Sequence, residues 1–297
     1  MEANHNVLPL TEASSQLAVR RDGRLGSLLT EEGKLNAADV QRVLELQRVD
    51  GLQFGAVALR LGLINAEDLR RAVAKQHGLP ELLPSARSIS SELVVAHAPF
   101  HPRAEELRAL RTQLLIRWSN AQIRRRMLVI ASPCHGEGRS YVAANLAVVF
   151  SQLGQRTLLI DSDLRTPRQH EIFNVPNRVG LSAVLSGRAD CSAVVPVTES
   201  GTLSLLPAGA CPPNPQELLL RSTFVDLLDE LAGKFDIVLF DTPPAKAYAD
   251  AQGVAFRAGS ALLIARKDHT RMADTKNVIH EMSGAGTHIV GSVFNAF

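Results

Sequence analysis

The sequence predicts an α/β protein: a doubly wound, mainly parallel sheet from about residue 104 to the end, preceded by a small α-helical domain. Three observations carry this. Six short apolar runs alternate with amphipathic stretches in the C-terminal two thirds. One of those runs opens into a glycine loop and then a helix-like segment. Ahead of them lies a tandem repeat with a helical pattern.

The repeat comes first in the chain. Arg24 to Gln47 reads RLGSLLTEEGKLNAADVQRVLELQ, and Gln53 to Gln76 reads QFGAVALRLGLINAEDLRRAVAKQ. Both units keep Gly at the third place (Gly26, Gly55), Gly at the tenth (Gly33, Gly62) and Gln at the last (Gln47, Gln76). Each parses as a short helix, a glycine stop, an asparagine cap (Asn36, Asn65) and an amphipathic helix. The second helix is expected to bury Val40, Val43 and Leu44 in one copy, and Leu69, Ala72 and Val73 in the other. These features place a flexible tail at 1–20, a helical repeat domain at 21–84 and a proline- and serine-rich linker at 85–103. Two such units make a docking module whatever they bind.

Residues 105–120 are expected to be helical, with Leu107, Leu110, Leu114 and Leu115 on one face and Trp118 packed against the domain. The runs MLVIAS, RTLLID, LSLLPA, FDIVLFD, ALLIARK and HIVGSVF then read as strands buried on both faces, the pattern of a parallel sheet. Ligands of such sheets sit beyond the carboxyl ends of the strands. MLVIASPCHGEGRSYVAANLAVVF places a strand, a glycine loop and a helix in the order that an anion site needs, because loop N–H groups and a helix N-terminus converge there. Gly136 and Gly138 allow close approach of the main chain, and Ser140 is placed to ligate magnesium. The P-loop pattern G-x-x-x-x-G-K-[ST] fails at Pro133 and at Arg139, so a plain glycine-rich turn is the alternative. Asp161 and Asp163 at the end of one run, and Asp241 at the end of another, would face the same crevice as Ser140.

Composition narrows the setting. A net charge of +2 over 297 residues is too mild to call for a nucleic-acid partner. The three cysteines, Cys134, Cys191 and Cys211, are scattered, which fits a reducing cytoplasm better than a disulfide or zinc framework. The polar N-terminus is not expected to be a signal peptide, and no apolar run approaches the ~18 residues of a spanning helix. His135 beside Cys134 lacks the further ligands of a metal site. Arg124 to Arg126 reads as a solvated collar, with anionic lipid or a neighbouring subunit as its alternative.

The segments SPCHGEGRS, LLIDSDLRTPRQHEIF, LPAGACPPNPQELL and FDIVLFDTPP resemble the bacterial tyrosine kinases of exopolysaccharide and capsule synthesis. These are deviant-Walker ATPases related to MinD and ParA, and the likeness extends to EpsG-type chain-length-determinant kinases. The resemblance covers about residues 103–297. It implies ATP and Mg2+ as cofactors, with Gly136, Glu137, Gly138, Arg139, Ser140 and Tyr141 around the phosphates and Asn295 at the adenine. It further implies magnesium held by Ser140 and, through water, by Asp163 and Asp241, and Asp161 as general base for a tyrosine hydroxyl beside a catalytic Arg139. Glu105, Arg108 and Arg111 match an E-x-x-R-x-x-R pattern for homo-oligomer assembly, with a helix-surface ion pair as the alternative. The implied partner is a membrane polysaccharide co-polymerase, which would recruit a cytoplasmic chain to the inner face of the membrane. The family's tyrosine-rich tail has no counterpart in the final VFNAF, and Tyr141 and Tyr248 are the two tyrosines. Any tyrosine substrate is therefore expected on a partner. A MinD- or ParA-like ATPase, or a nucleotide-binding scaffold, is the competing reading.

The repeat resembles the MshEN module of secretion and pilus ATPases, which implies cyclic di-GMP as a ligand through Arg24, Leu25, Gly26 and Gln47. The second unit opens Gln53-Phe54-Gly55 and so lacks one of the two expected arginines.

Overall fold

The computed structural model describes residues 25–76, 89–120 and 126–296, which fall in two compact units, 1–79 and 80–297. Arg24, Arg124 and Arg125 lie outside the described residues.

In the first unit helix α1 occupies residues 25–31, followed by α2 (Ala37–Asp50), α3 (Phe54–Arg60) and α4 (Ala66–Gln76). Both expected caps are present. Asn36 Oδ1 accepts from Asp39 N at 2.9 Å, and Asn65 Oδ1 from Asp68 N at 2.8 Å, while each aspartate returns a bond to the asparagine N–H. Gly33 and Gly62 share a φ of +67°, the left-handed turn that ends the first helix of each copy. Gly26 and Gly55 have a different role. A Cβ on Gly26 would sit 3.2 Å from Phe54 Cζ, and one on Gly55 would sit 2.6 Å from Leu69 Cδ1. The third-place glycine therefore lets α1 lie close on the helices around it, and its counterpart does the same for α3. Val43 and Ala72 are fully buried, and Val40, Leu44, Leu69 and Val73 pack against that core.

The second unit opens with α5 (Val94–His97) and α6 (Pro102–Asn120). Then come β1 (Met127–Ala131), α7 (Arg139–Ser151), β2 (Thr157–Asp161), α8 (Gln169–Ile172) and α9 (Leu181–Leu185). These are followed by β3 (Val195–Pro196), β4 (Leu203–Leu206), α10 (Pro215–Leu220), α11 (Ser222–Lys234) and β5 (Ile237–Asp241). Helix α12 (Asp250–Ala258), β6 (Ser260–Arg266), α13 (Met272–Gly284) and β7 (His288–Asn295) complete it. The strand order is β3-β4-β2-β5-β1-β6-β7, parallel throughout except for β3, which pairs antiparallel with β4 at the edge. All six runs form strands. The two-residue β3 is too short to leave a periodic signal.

The continuous apolar character of the strands has its reason in two separate cores. Leu128 and Ile130 of β1 face α5, α6 and α7, whereas Met127, Val129 and Ala131 face α9 to α13. Trp118 packs at 5.7 Å on Phe150, joining α6 to α7. The linker expected over 85–103 is corrected in its described part. Leu93 and Val95 are buried, Ser90 N donates to Ile172 O at 3.0 Å, and Asn145 Nδ2 donates to Glu92 O at 2.9 Å. Residues 89–103 are part of the sheet domain, because Leu93 and Val95 remove apolar surface from water there despite the flanking prolines.

Candidate functional site

Chain order across the sheet positions the site. Strand β5 lies between β1 and β2, so the loop after β1 and the acidic ends of β2 and β5 emerge side by side. Asp161 and Asp241 are register partners on neighbouring strands, and both are buried. Gly136 (φ +72°) and Gly138 (φ +91°) hold the left-handed conformations that turn the chain into α7, whose first-turn N–H groups lack intrahelical acceptors.

The loop is held in shape from both sides. Ala245 N donates to Ser132 O at 2.9 Å and Lys246 N to Pro133 O at 3.1 Å. Arg139 is buried, with its guanidinium turned beneath the loop. Its Nε donates to Thr242 O at 2.8 Å, and one terminal nitrogen donates to both Ser132 Oγ and Cys134 O at 2.7 Å. Arg139, expected around the phosphates, thus directs its donors to the carbonyls of Thr242 and Cys134 and the Ser132 hydroxyl. Arg139→Lys keeps the charge, and its ammonium can still donate to Ser132 Oγ and Cys134 O while giving up the Thr242 contact. Nucleotide affinity is expected to stay within about tenfold of the parent, and transfer not to fall. A complete loss of activity in a turnover assay would show that the loop is built around the guanidinium.

The three carboxylates do not form one cage, and among the described residues no group of three or more His, Cys, Asp or Glu side chains converges as a metal cluster. Asp163 is turned aside: Oδ1 accepts from Arg165 N and Thr166 N, and Oδ2 from Thr166 Oγ1. Asp161 Oδ2 accepts from Arg168 N at 3.1 Å and Gln169 N at 2.9 Å. Asp241 Oδ2 accepts from Gln169 Nε2 at 2.7 Å, while its buried Oδ1 has no hydrogen-bond partner. Burial, and then the charge of Asp241, push the Asp161 carboxyl well above the usual range. Burial also raises Asp241, although the Arg139 charge and the nearby Ser140 hydroxyl hold part of that rise back. Two buried carboxylates under mutual repulsion, one with a free oxygen, are a place where a cation would be stabilising.

Gln169, which no sequence motif singles out, joins the site. Fully buried, it also donates to Ser140 O at 3.1 Å, tying the α7 entrance to Asp241. A glutamine carries no chemical signature, so only the fold reveals this role. Glu137 is buried too, and Asn295 Nδ2 donates to its carbonyl at 3.2 Å. Tyr141, half-buried on the first turn of α7, has its hydroxyl pKa raised by burial. Tyr248 lies beneath the Arg165 guanidinium, 4.0 Å from the ring centroid.

On α6, Glu105 and Arg108 form an ion pair, Arg108 also reaches Pro99 O at 2.7 Å, and Arg111 donates to Val149 O at 2.8 Å. In the first unit Leu25 is buried in the core and Gly26 faces Phe54, while the Gln47 carbonyl accepts from Gly51 N.

A glycine loop after β1, with the acidic end of β5 beside it and that of β2 one strand further on, defines a P-loop nucleotide-binding class of protein. The comparisons narrow the class. A family model described as cellulose biosynthesis protein BcsQ matches residues 126–275. The putative tyrosine-protein kinase CapB of Staphylococcus aureus is 34% identical over 209 residues, 70% of this chain and 91% of CapB. The chimerical protein CapA2B2 superposes with a TM-score of 0.65 at 33% identity, over 76% of this chain and 97% of that one. The kinase domain of the Escherichia coli tyrosine kinase ETK gives 0.65 at 32%, over 70% and 81%. The chain belongs to the bacterial tyrosine-protein kinase family, a family of enzymes on a MinD-like fold. It spans only 28% of the length of another relative, the putative tyrosine-protein kinase EpsB of Ralstonia solanacearum, at 35% identity over 71% of this chain. The septum site-determining protein MinD of Pyrococcus horikoshii, complexed with Mg-ADP, matches at a TM-score of 0.50 and 26% identity, over 57% of this chain and 70% of MinD. Among the described residues no helix is long and apolar enough to cross a membrane.

Proposed function

We propose that the chain is a Mg-ATP-dependent protein tyrosine kinase that works with a membrane polysaccharide co-polymerase to regulate exopolysaccharide chain length and export. The observation that carries this is the unpartnered buried Oδ1 of Asp241, beside Asp161 and the N-terminus of α7. The residues fit the cofactor: magnesium is usually held by one or two carboxylates together with substrate phosphates and water, not by an all-protein cage. Ser140, Asp163 and Asp241 would hold it, and the ion would offset the charge that develops on the transferred phosphoryl group. The amides from Gly136 to Ser140 bind the phosphates, Arg139 keeps the loop in shape, and Tyr141 and Asn295 flank the nucleotide. Asp161, oriented by the Arg168 and Gln169 amides, takes the proton from the attacking tyrosine hydroxyl. The hydroxyl is proposed to be a partner's: of the two tyrosines in this sequence, Tyr141 is half-buried and Tyr248, though partly exposed, has its ring engaged by Arg165.

The test is phosphotyrosine mass spectrometry after incubation with Mg-ATP, with and without cytosolic segments of a co-polymerase. Phosphotyrosine that depends on the segments is expected. ADP release without phosphotyrosine would favour the MinD- or ParA-like ATPase, and nucleotide binding without ADP release would favour a scaffold. Homo-oligomer assembly through α6 would use Glu105, whose side chain is 67% exposed, while Arg108 and Arg111 stay tied to their own domain. Glu105→Ala should then lower the mass seen in light scattering. Recruitment to the membrane would follow from the co-polymerase. For the N-terminal unit, the repeat supports cyclic di-GMP as a ligand of Arg24 and Gln47, whereas Leu25 and Gly26 serve packing. Titration of the full chain against its Arg24→Ala variant decides between ligand and docking module.

A further inference from the structure

Glu137 poses a problem that the nucleotide site does not answer by itself. A fully buried carboxylate stands in a loop whose main chain is shaped to receive an anion. Left to itself, that charge would repel phosphate through a low-dielectric interior, where unit charges interact far more strongly than in water. The structure turns it inward. Oε2 accepts from Cys134 N at 2.7 Å, closing the loop on itself, and Oε1 accepts from the Thr270 hydroxyl.

Thr270 lies on the turn after β6, and its own bonds leave the hydroxyl proton for the carboxylate. Its Oγ1 accepts from Arg266 N at 2.7 Å, and Thr270 N donates to Arg266 O at 2.9 Å. The end of β6 grips the loop as well, through the Arg266 guanidinium, which donates to Gly136 O at 3.0 Å. Lys267 N donates to Asn295 O at 2.8 Å, and Asn295 Nδ2 donates to Glu137 O.

We propose that Thr270 is a positioning residue of the phosphate loop, holding the Glu137 carboxylate turned into the protein and away from the face that receives nucleotide phosphates. The proposal rests on the nucleotide reading given above, but the clamp itself exists without nucleotide. Thr270→Val keeps the shape and removes the donor, leaving a buried carboxylate oxygen unpaired. Thr270→Ser restores the hydroxyl. Adding Glu137→Gln to Thr270→Val removes the charge that the clamp controls.

Two measurements test it. In the nucleotide-free chain, hydrogen exchange of the Cys134 amide should speed up in Thr270→Val and return to the parent rate in Thr270→Ser. With Mg-ADP in calorimetry, Thr270→Val should bind about ten- to a hundredfold more weakly, Thr270→Ser within about threefold of the parent, and the double variant more tightly than Thr270→Val alone. In turnover, KM for ATP should rise more than kcat falls. An unchanged Cys134 exchange rate in folded Thr270→Val overturns the clamp. Weakened binding that Glu137→Gln does not rescue overturns the charge argument and leaves Thr270 a packing residue. If exchange responds as expected while the parent itself ignores Mg-ADP, the clamp stands and the nucleotide reading fails.

Discussion

Ser140→Ala combined with Asp241→Ala is expected to abolish the magnesium-dependent part of nucleotide binding, lowering Mg-ADP affinity by ~100-fold or more while the chain stays folded. The size follows from two lost contacts to a charged group, each contributing about 1.5–3 kcal/mol. Folding is expected to survive because Asp241 costs the nucleotide-free protein more than it contributes. Its Oδ1 is buried without a partner, and its charge repels Asp161. Calorimetry with and without magnesium reads the effect. Affinity that does not change, or that changes equally in the presence of a chelator, would show that the cation is held elsewhere.

Asp161→Asn is expected to part chemistry from stability. As the general base, Asp161 contributes on the order of 10²- to 10⁴-fold to transfer, and its amide has no basicity to replace it. Stability should move the other way. The Asp161 carboxyl is raised well above its ordinary 3.8 by burial and by Asp241. A raised carboxyl favours the folded state where it is protonated, and that advantage is lost as pH climbs through the folded value. Where it is ionised, the side chain therefore destabilises the nucleotide-free fold. Asn removes that cost and can still accept the Arg168 and Gln169 amides through Oδ1. The variant should melt above the parent at pH 7, with the gap closing as pH falls towards 3.8 and narrowing when magnesium is added to the parent. A variant that melts lower than the parent at pH 7 would mean that the aspartate is held as a stabilising anion, and the base assignment would lose its electrostatic ground.

Much of this architecture is legible in sequence because it rests on local, repeated signals. Strands buried on both faces must be apolar throughout, so Met127–Ala131 and Ile237–Asp241 announce themselves. A capping asparagine acts within three residues, so Asn36 and Asn65 mark both copies of the repeat. A glycine loop between a strand and a helix is confined to one stretch, and Asp161 and Asp241 stand at the ends of readable strands. What sequence could not supply is the direction in which a side chain turns once the chain has folded. Arg139 goes beneath its loop because the carbonyls of Thr242 and Cys134 await donors there. Asp163 turns to Thr166 rather than to Asp241. Gln169, Thr270 and Arg266 reach the site from positions up to 133 residues away from the groups they bind. The pattern of apolar and glycine residues by itself determined the sheet, the loop and the repeat, since backbone geometry and burial act over a few residues. Only the tertiary structure decided which polar groups satisfy one another, because a buried hydrogen bond depends on spatial neighbours that sequence spacing does not encode.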